Sequence, residues 1–235
     1  AGTRISHIGL TLIASLGTVL LPRCSNLLAT GDDAGFAKVI GKSLNLTIGL
    51  ALPMMCGMMI LSRPVTMVFC GPEYSQSVAV LFLNAPVILL VGLTNLMGIQ
   101  ILYPKDKIRI VLWSVAGGAI VNLVLNYFLL PKYGAYGAAI ATLLAETTVL
   151  VIQVIYGRHY FPFRLKELIN AKYIIATVAM GLFVWLSMQL SVSDVWHLII
   201  SIPVGVLVYA LMLQMLHESL FTEIRHSILK RSSNA

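Results

Sequence analysis

Seven long apolar stretches, parted by short polar punctuation, run along the chain at 5–28, 40–62, 77–102, 108–130, 134–157, 171–191 and 195–216. A hydrocarbon core of ~30 Å takes about 20 mostly apolar helical residues to cross, so each stretch predicts a membrane-spanning helix. The runs are continuous and do not alternate with period two, which argues against a closed β-barrel. The expectation is an all-α, polytopic transmembrane helix bundle.

Polar residues inside the spans fall into stripes. Asn84 and Asn95 return to one face of the third span,. Asn122 and Asn126 stand one turn apart in the fourth, continued by Gly118 and Ser114. In the fifth, Thr142, Glu146 and Gln153 share a face opposite Ile140, Leu144 and Val151. Glu146 lies about twelve residues, ~18 Å, from the outer end of its span, near mid-membrane and too deep to reach water by snorkelling. Such an acid faces a bundle interior or a wet cavity. Two readings are open: a neutral Glu146 hydrogen-bonded to a neighbouring helix through Asn122 or Asn126, or a site where H⁺ or Na⁺ couples to transport, with Thr142 beside it. No other cofactor is called for.

Small residues at close-packing spacing, Gly117 and Gly118 in the fourth span and Gly134, Ala138, Ala141 and Ala145 in the fifth, predict tight helix contacts,. Pro53, Pro86 and Pro203 fall inside spans, as ordinary kinks or as hinges of a moving transporter,. "GDDAGFAKVIGK" (31–42) reads as a turn at Gly31, an acidic N-cap and an amphipathic lead into the second span,.

Composition agrees with the pattern. Hydrophobic residues make up 58% of the chain and charged residues 11%, with mean hydropathy +0.90; a soluble domain is about a quarter charged. The few cations alternate between rich and poor loops. Arg23, Lys38 and Lys42 follow the first span, Lys105, Lys107 and Arg109 the third, Arg158, Arg164, Lys166 and Lys172 the fifth, and Arg225, Lys230 and Arg231 the last. Arg63 and Lys132 stand alone between them. The positive-inside rule puts the rich segments, and with them the C-terminus, in the cytoplasm. That topology accounts for the net charge of +7. No basic, aromatic-interleaved soluble domain is present to bind nucleic acid.

"AGTRISHIGL" opens without Met or a signal-peptide n-region, the expected look of a fragment or a processed chain,. Cys24, Cys56 and Cys70 lack metal-ligand spacing and read as packing residues, so no metal site is expected,. "GRHYFPFRLKELINAKY" (157–173) mixes cations and aromatics as an interfacial element does, and attracts anionic lipid,.

Three segments then carry a family resemblance: "SLGTVLLPRCSNLLATGD" (15–32), "GLTNLMGIQILYPKDK" (92–107) and "GGAIVNLVLNYFLLPKYGAYGAAIATLLAE" (117–146). They resemble the C-terminal half of bacterial polysaccharide repeat-unit flippases of the Wzx type, in the multidrug/oligosaccharidyl-lipid/polysaccharide exporter superfamily. The resemblance implies a fourteen-helix fold of which this chain supplies helices eight to fourteen. Residues 1–157 would be most of a C-terminal transport lobe, 158–170 a cytoplasmic interfacial linker, 171–216 a terminal helix pair and 217–235 a basic tail. The N-terminal lobe would be its partner. It further implies movement of undecaprenyl-pyrophosphate-linked oligosaccharide to the outer leaflet of the bacterial plasma (inner) membrane, for lipopolysaccharide, capsule or exopolysaccharide biosynthesis, alongside a polysaccharide polymerase or synthesis complex.

"AGTRI" (1–5) is similar to the start of the matching helix in the related lipid II flippases, where an Arg is implicated in holding pyrophosphate; this maps onto Arg4, with His7 one turn on. A guanidinium suits phosphate by donating two parallel charge-assisted hydrogen bonds. An interfacial Arg at a helix end is the other reading. Arg23, at the cytoplasmic end of the first span, is a further candidate for the anionic head group, and Asn122 and Asn126 for polar contacts with substrate.

An enzyme is not expected. The outward loops are short, and no Ser/His/Asp grouping, carboxylate pair or phosphate-cradling Gly loop appears,. Beside the flippase stand two alternatives: an ion-coupled multidrug or organic-cation antiporter of the same superfamily, and a non-transporting membrane scaffold of a polysaccharide synthesis complex.

Overall fold

The computed structural model describes residues 20–164 and 170–218. Among these the chain is helical, without strands: α1 is described over 20–29, followed by α2 (Asp33–Ile60), α3 (Ser62–Cys70), α4 (Ser77–Asn95), α5 (Ile108–Gly157), α6 (Ala171–Ser187) and α7 (Asp194–Met215). A π-helical segment, Leu96–Leu102, extends α4. By length and composition α2, α4 with its extension, α5 and α7 suit a membrane crossing; α6 is shorter and also apolar.

Helix α2 begins at Asp33, ahead of the apolar stretch from residue 40, because Asp32 caps it by accepting the Gly35 N–H at 2.8 Å,. Lys38 and Lys42 lower the hydropathy of this turn without breaking the helix. Phe36, Ile40, Leu44 and Ile48 recur every four residues along it and form one buried face,. That face meets Leu93, Leu96 and Ile101 of the α4 arm, Tyr173 and Ala176 of α6, and Leu213 of α7. A second cluster, Leu61, Val65, Leu81, Met180, Val184 and Leu198, closes the other end of the bundle.

Helix α5 is two arms. Gly134 has φ 54° and ψ −135°, a conformation open to glycine and strained for other residues, and it reverses the chain between 108–133 and 135–157,. Pro131, just before the reversal, lacks the N–H that a continuing helix needs,.

In hydrocarbon, a backbone group freed by proline needs a partner within the protein. Pro53 leaves the Gly49 carbonyl without its helical donor,. Tyr209 of α7 supplies one, its hydroxyl donating to the Gly49 oxygen at 2.6 Å. Tyr173 of α6 presses on the same glycine; a Cβ there would lie 2.9 Å from its ring. The kink of α2 is therefore the place where α6 and α7 attach. Ser187 and Ser201, 2.6 Å apart, pair α6 with α7.

Among the described residues nearly all cations gather at one end. Arg23, Lys38, Lys42, Lys105, Lys107, Arg109, Arg158, Arg164 and Lys172 lie within about three turns of that end, and Arg63 and Lys132 lie at the other,. Cys24 is buried, and all three cysteines are free thiols.

Tyr209→Phe is expected to cost about 1–3 kcal/mol, because it strands the Gly49 carbonyl in an apolar setting. Tyr127→Phe, at a ring that is 76% exposed, is expected to change nothing measurable. Thermal unfolding of the purified protein in detergent checks the pair.

Candidate functional site

The arms of α5 lie antiparallel, and small residues set how close they come. A Cβ on Gly118 would collide with Val149 Cγ2 and stand 3.1 Å from the Ala145 carbonyl oxygen. Ala141 and Ala145 are buried, and Gly134 is the turn itself. The small residues of the fourth and fifth spans thus pack those spans on one another. At one end of the contact Gln153 Nε2 donates to Ser114 Oγ at 3.2 Å. This register puts Glu146, the middle of the returning arm, at the level of Asn122.

Between the α5 arms and the end of α4 lies a pocket of about 800 Å³. Its polar lining is Thr94 and Asn95 from α4, Asn122 and Asn126 from the first arm, and Glu146 and Gln153 from the second. Val91, Val115 and Val149 are among its apolar walls. The π-helical segment contributes Ile99, and its Gly98 lets Gln153 approach, a Cβ there standing 3.1 Å from Gln153 Nε2.

The two asparagines do not hold the acid. Asn126 Nδ2 donates to both the carbonyl oxygen and Oδ1 of Asn122, each at 2.9 Å. The Asn–Glu hydrogen bond open in the sequence is not formed; an asparagine one turn away offered Asn126 a nearer partner. Among the described residues none hydrogen-bonds to the half-buried Glu146 carboxyl. Gln153 Oε1, fully buried, also accepts no hydrogen bond from them. A carboxyl in the wall of such a pocket can hold a proton, a small cation or a hydroxyl-bearing ligand.

Thr142 is outside this lining, and its hydroxyl donates to the Ala138 carbonyl at 3.0 Å. Arg23 is exposed on α1, away from the pocket. Asn84 is half-buried and also outside it. Arg4 and His7 lie outside the described residues. Sequence reasoning missed Thr94 as a lining residue, and the buried Ser43–Gln100 hydrogen bond of 2.6 Å that joins α2 to the π-helical segment. Mid-span polarity marked both residues, but nothing local paired them. A second cleft, about 540 Å³ and largely apolar, lies between α2, α6 and α7, with Asn45, Tyr173, Tyr209 and Glu218 in its lining.

The family model for the lipid II flippase MurJ matches residues 3–207 of the chain. The chain belongs to the lipid II flippase (MurJ) family. This bears out the resemblance to flippases of the exporter superfamily. Flippases move lipids across a bilayer and make or break no covalent bond, so an enzyme is not in question. The chain is a multi-pass membrane protein. It is 21% identical over 225 residues to the probable low-salt glycan biosynthesis flippase Agl15 of Haloferax volcanii, covering 94% of this chain and 48% of that protein. The solved structure of the lipid II flippase MurJ in an inward closed conformation has the same fold, with a TM-score of 0.79, 20% identity, and coverage of 93% of this chain and 46% of that one. The chain thus spans about half the length of these relatives.

Gly118→Ala is expected to push the α5 arms apart and destabilise the protein by about 1–3 kcal/mol. Gly117→Ala is the control, since a Cβ there meets only the flexible end of Ile152. Detergent unfolding of the two variants checks the difference.

Proposed function

We propose that this chain forms the C-terminal part of a flippase for a polyprenyl-pyrophosphate-linked oligosaccharide, working by alternating access with a partner lobe. Residues 1–157 act as the transport lobe, 158–170 as an interfacial linker, 171–216 as a terminal pair and 217–235 as a basic tail. The protein sits in the plasma membrane, with the cation-rich end and the C-terminus in the cytoplasm.

The observation that carries this reading is the pocket lined by Glu146, Asn122, Asn126, Asn95 and Gln153 between apolar helices, with Glu146 and Asn122 midway along the α5 arms, in a flippase family member. A sugar head group cannot cross hydrocarbon without polar groups to replace water. Amides that both donate and accept suit hydroxyl groups, and Glu146 suits the coupling ion, H⁺ or Na⁺, with Thr142 one turn away. Arg4, with His7, is assigned to hold the pyrophosphate, and Arg23, at the cytoplasmic end of the first span, to gather the incoming anionic head group. The apolar cleft of α2, α6 and α7 suits the prenyl chain,.

Cells lacking the complete gene are expected to accumulate lipid-linked oligosaccharide that labels from outside cannot reach, and the intact gene to restore its exposure. Normal surface glycan with new sensitivity to organic cations would favour the antiporter instead. Glu146→Gln is expected to abolish the dependence of transport on an ion gradient at unchanged protein level; unaltered dependence removes the coupling role. Arg4→Lys keeps the charge, loses the planar fork and is expected to lower transport about tenfold or more; full activity of Arg4→Ala ends that assignment.

A further inference from the structure

At the cation-rich end three segments meet. Lys105, in the loop after the π-helical segment, donates from Nζ to the Tyr160 carbonyl oxygen at 3.0 Å and stands 5.1 Å from the Phe36 ring centroid of α2. Lys107 Nζ lies 5.2 Å from the Tyr160 ring centroid. Phe161 and Phe163 stack at 5.4 Å and pack against the buried core, so the segment leaving α5 is held to the bundle. These contacts tie the Arg158–Tyr160 turn to the loop of Lys105 and Lys107, and with Arg109 on the first turn of α5 the cations of both segments form one ledge. Lys105 is committed to the protein. Arg109 and Arg158 are exposed and Lys107 half-exposed, and among the described residues no carboxylate pairs with any of the three. The acid in the ledge is Asp106, exposed in the turn between the lysines.

Helix stability does not call for Lys107 and Arg109, because the first turn of a helix disfavours cations. Just beyond the ledge the same arms expose apolar surface: Leu112 (61%) and Trp113 (73%) on the first, Ile155 (56%) and Tyr156 (65%) on the second. Cations above an apolar wall match a phosphate above acyl chains.

We propose that this ledge is a binding site for an anionic phospholipid, with Lys107, Arg109 and Arg158 contacting the phosphate and Lys105 as the positioning residue that ties the two loops together. The site depends on the membrane setting and not on the transport reading. It holds a resident lipid at the end of the α5 hairpin, away from the polar pocket.

The test is native mass spectrometry of the full chain in detergent, with phosphatidylglycerol or phosphatidylcholine added. Phosphatidylglycerol is expected to be retained in preference, and the triple variant Lys107→Gln, Arg109→Gln, Arg158→Gln to retain it about a hundredfold more weakly, near fivefold per cation. The charge-keeping variant Lys107→Arg, Arg109→Lys, Arg158→Lys is expected to bind as the parent does, as is Arg63→Gln with Lys132→Gln at the opposite end. If the triple variant fails to fold, the three single substitutions carry the test through their separate losses. Undiminished retention by the charge-free variants, or equal retention of phosphatidylcholine, overturns the proposal. Displacement of the lipid by inorganic phosphate alone assigns the ledge to free phosphate and overturns it equally.

Discussion

A polar group placed in hydrocarbon must find its partner inside the protein, and the packing of this bundle follows from that constraint. The carbonyl that Pro53 strips of its donor is answered by Tyr209, which brings α7 against the kink of α2. Ser43 answers Gln100, Ser114 answers Gln153, and Ser187 answers Ser201, each pair joining two helices or two arms. Threonines such as Thr66, Thr142 and Thr147 turn their hydroxyls onto carbonyls one turn back,. Apolar contact alone separates poorly between helix and lipid, so these polar pairs, with the glycines that permit close approach, select one arrangement.

Against that background the unsatisfied groups stand out. Gln153 and Glu146 line the same pocket, and neither Gln153 Oε1 nor the Glu146 carboxyl is answered by a described side chain. Thr177 Oγ1 and His197 Nδ1 are also buried without a partner, but they sit on α6 and α7 outside it. Of these groups it is the Glu146 carboxyl, half-buried at the pocket wall, that remains open to a ligand.

Much of this was readable along the chain, because the signals are local. Continuous apolar runs gave the helices, Asp32 and Gly31 marked the start of α2, and the stripe of Glu146 and Gln153 opposite Leu144 and Val151 pointed to one inward face. What was hidden depends on distant partners. Nothing near Tyr209 announces Gly49, and nothing near Ser43 announces Gln100. Nothing in the composition of Leu96–Leu102 announces its π-helical turn,. Asn122 and Asn126 were placed correctly on one face, yet their hydrogen bonds go to each other and leave the acid alone.

The central claim is that the space beside Glu146 is a polar, substrate-related pocket and not a face toward lipid. The direct measurement is the labelling rate of Glu146→Cys by a charged thiol reagent in the complete protein, with Cys24, Cys56 and Cys70 replaced, against Val151→Cys on the opposite face. The account predicts fast labelling at 146, slow labelling at 151, and protection of 146 by lipid-linked oligosaccharide. Labelling at 146 no faster than at 151, and unaffected by the lipid-linked saccharide, would contradict it.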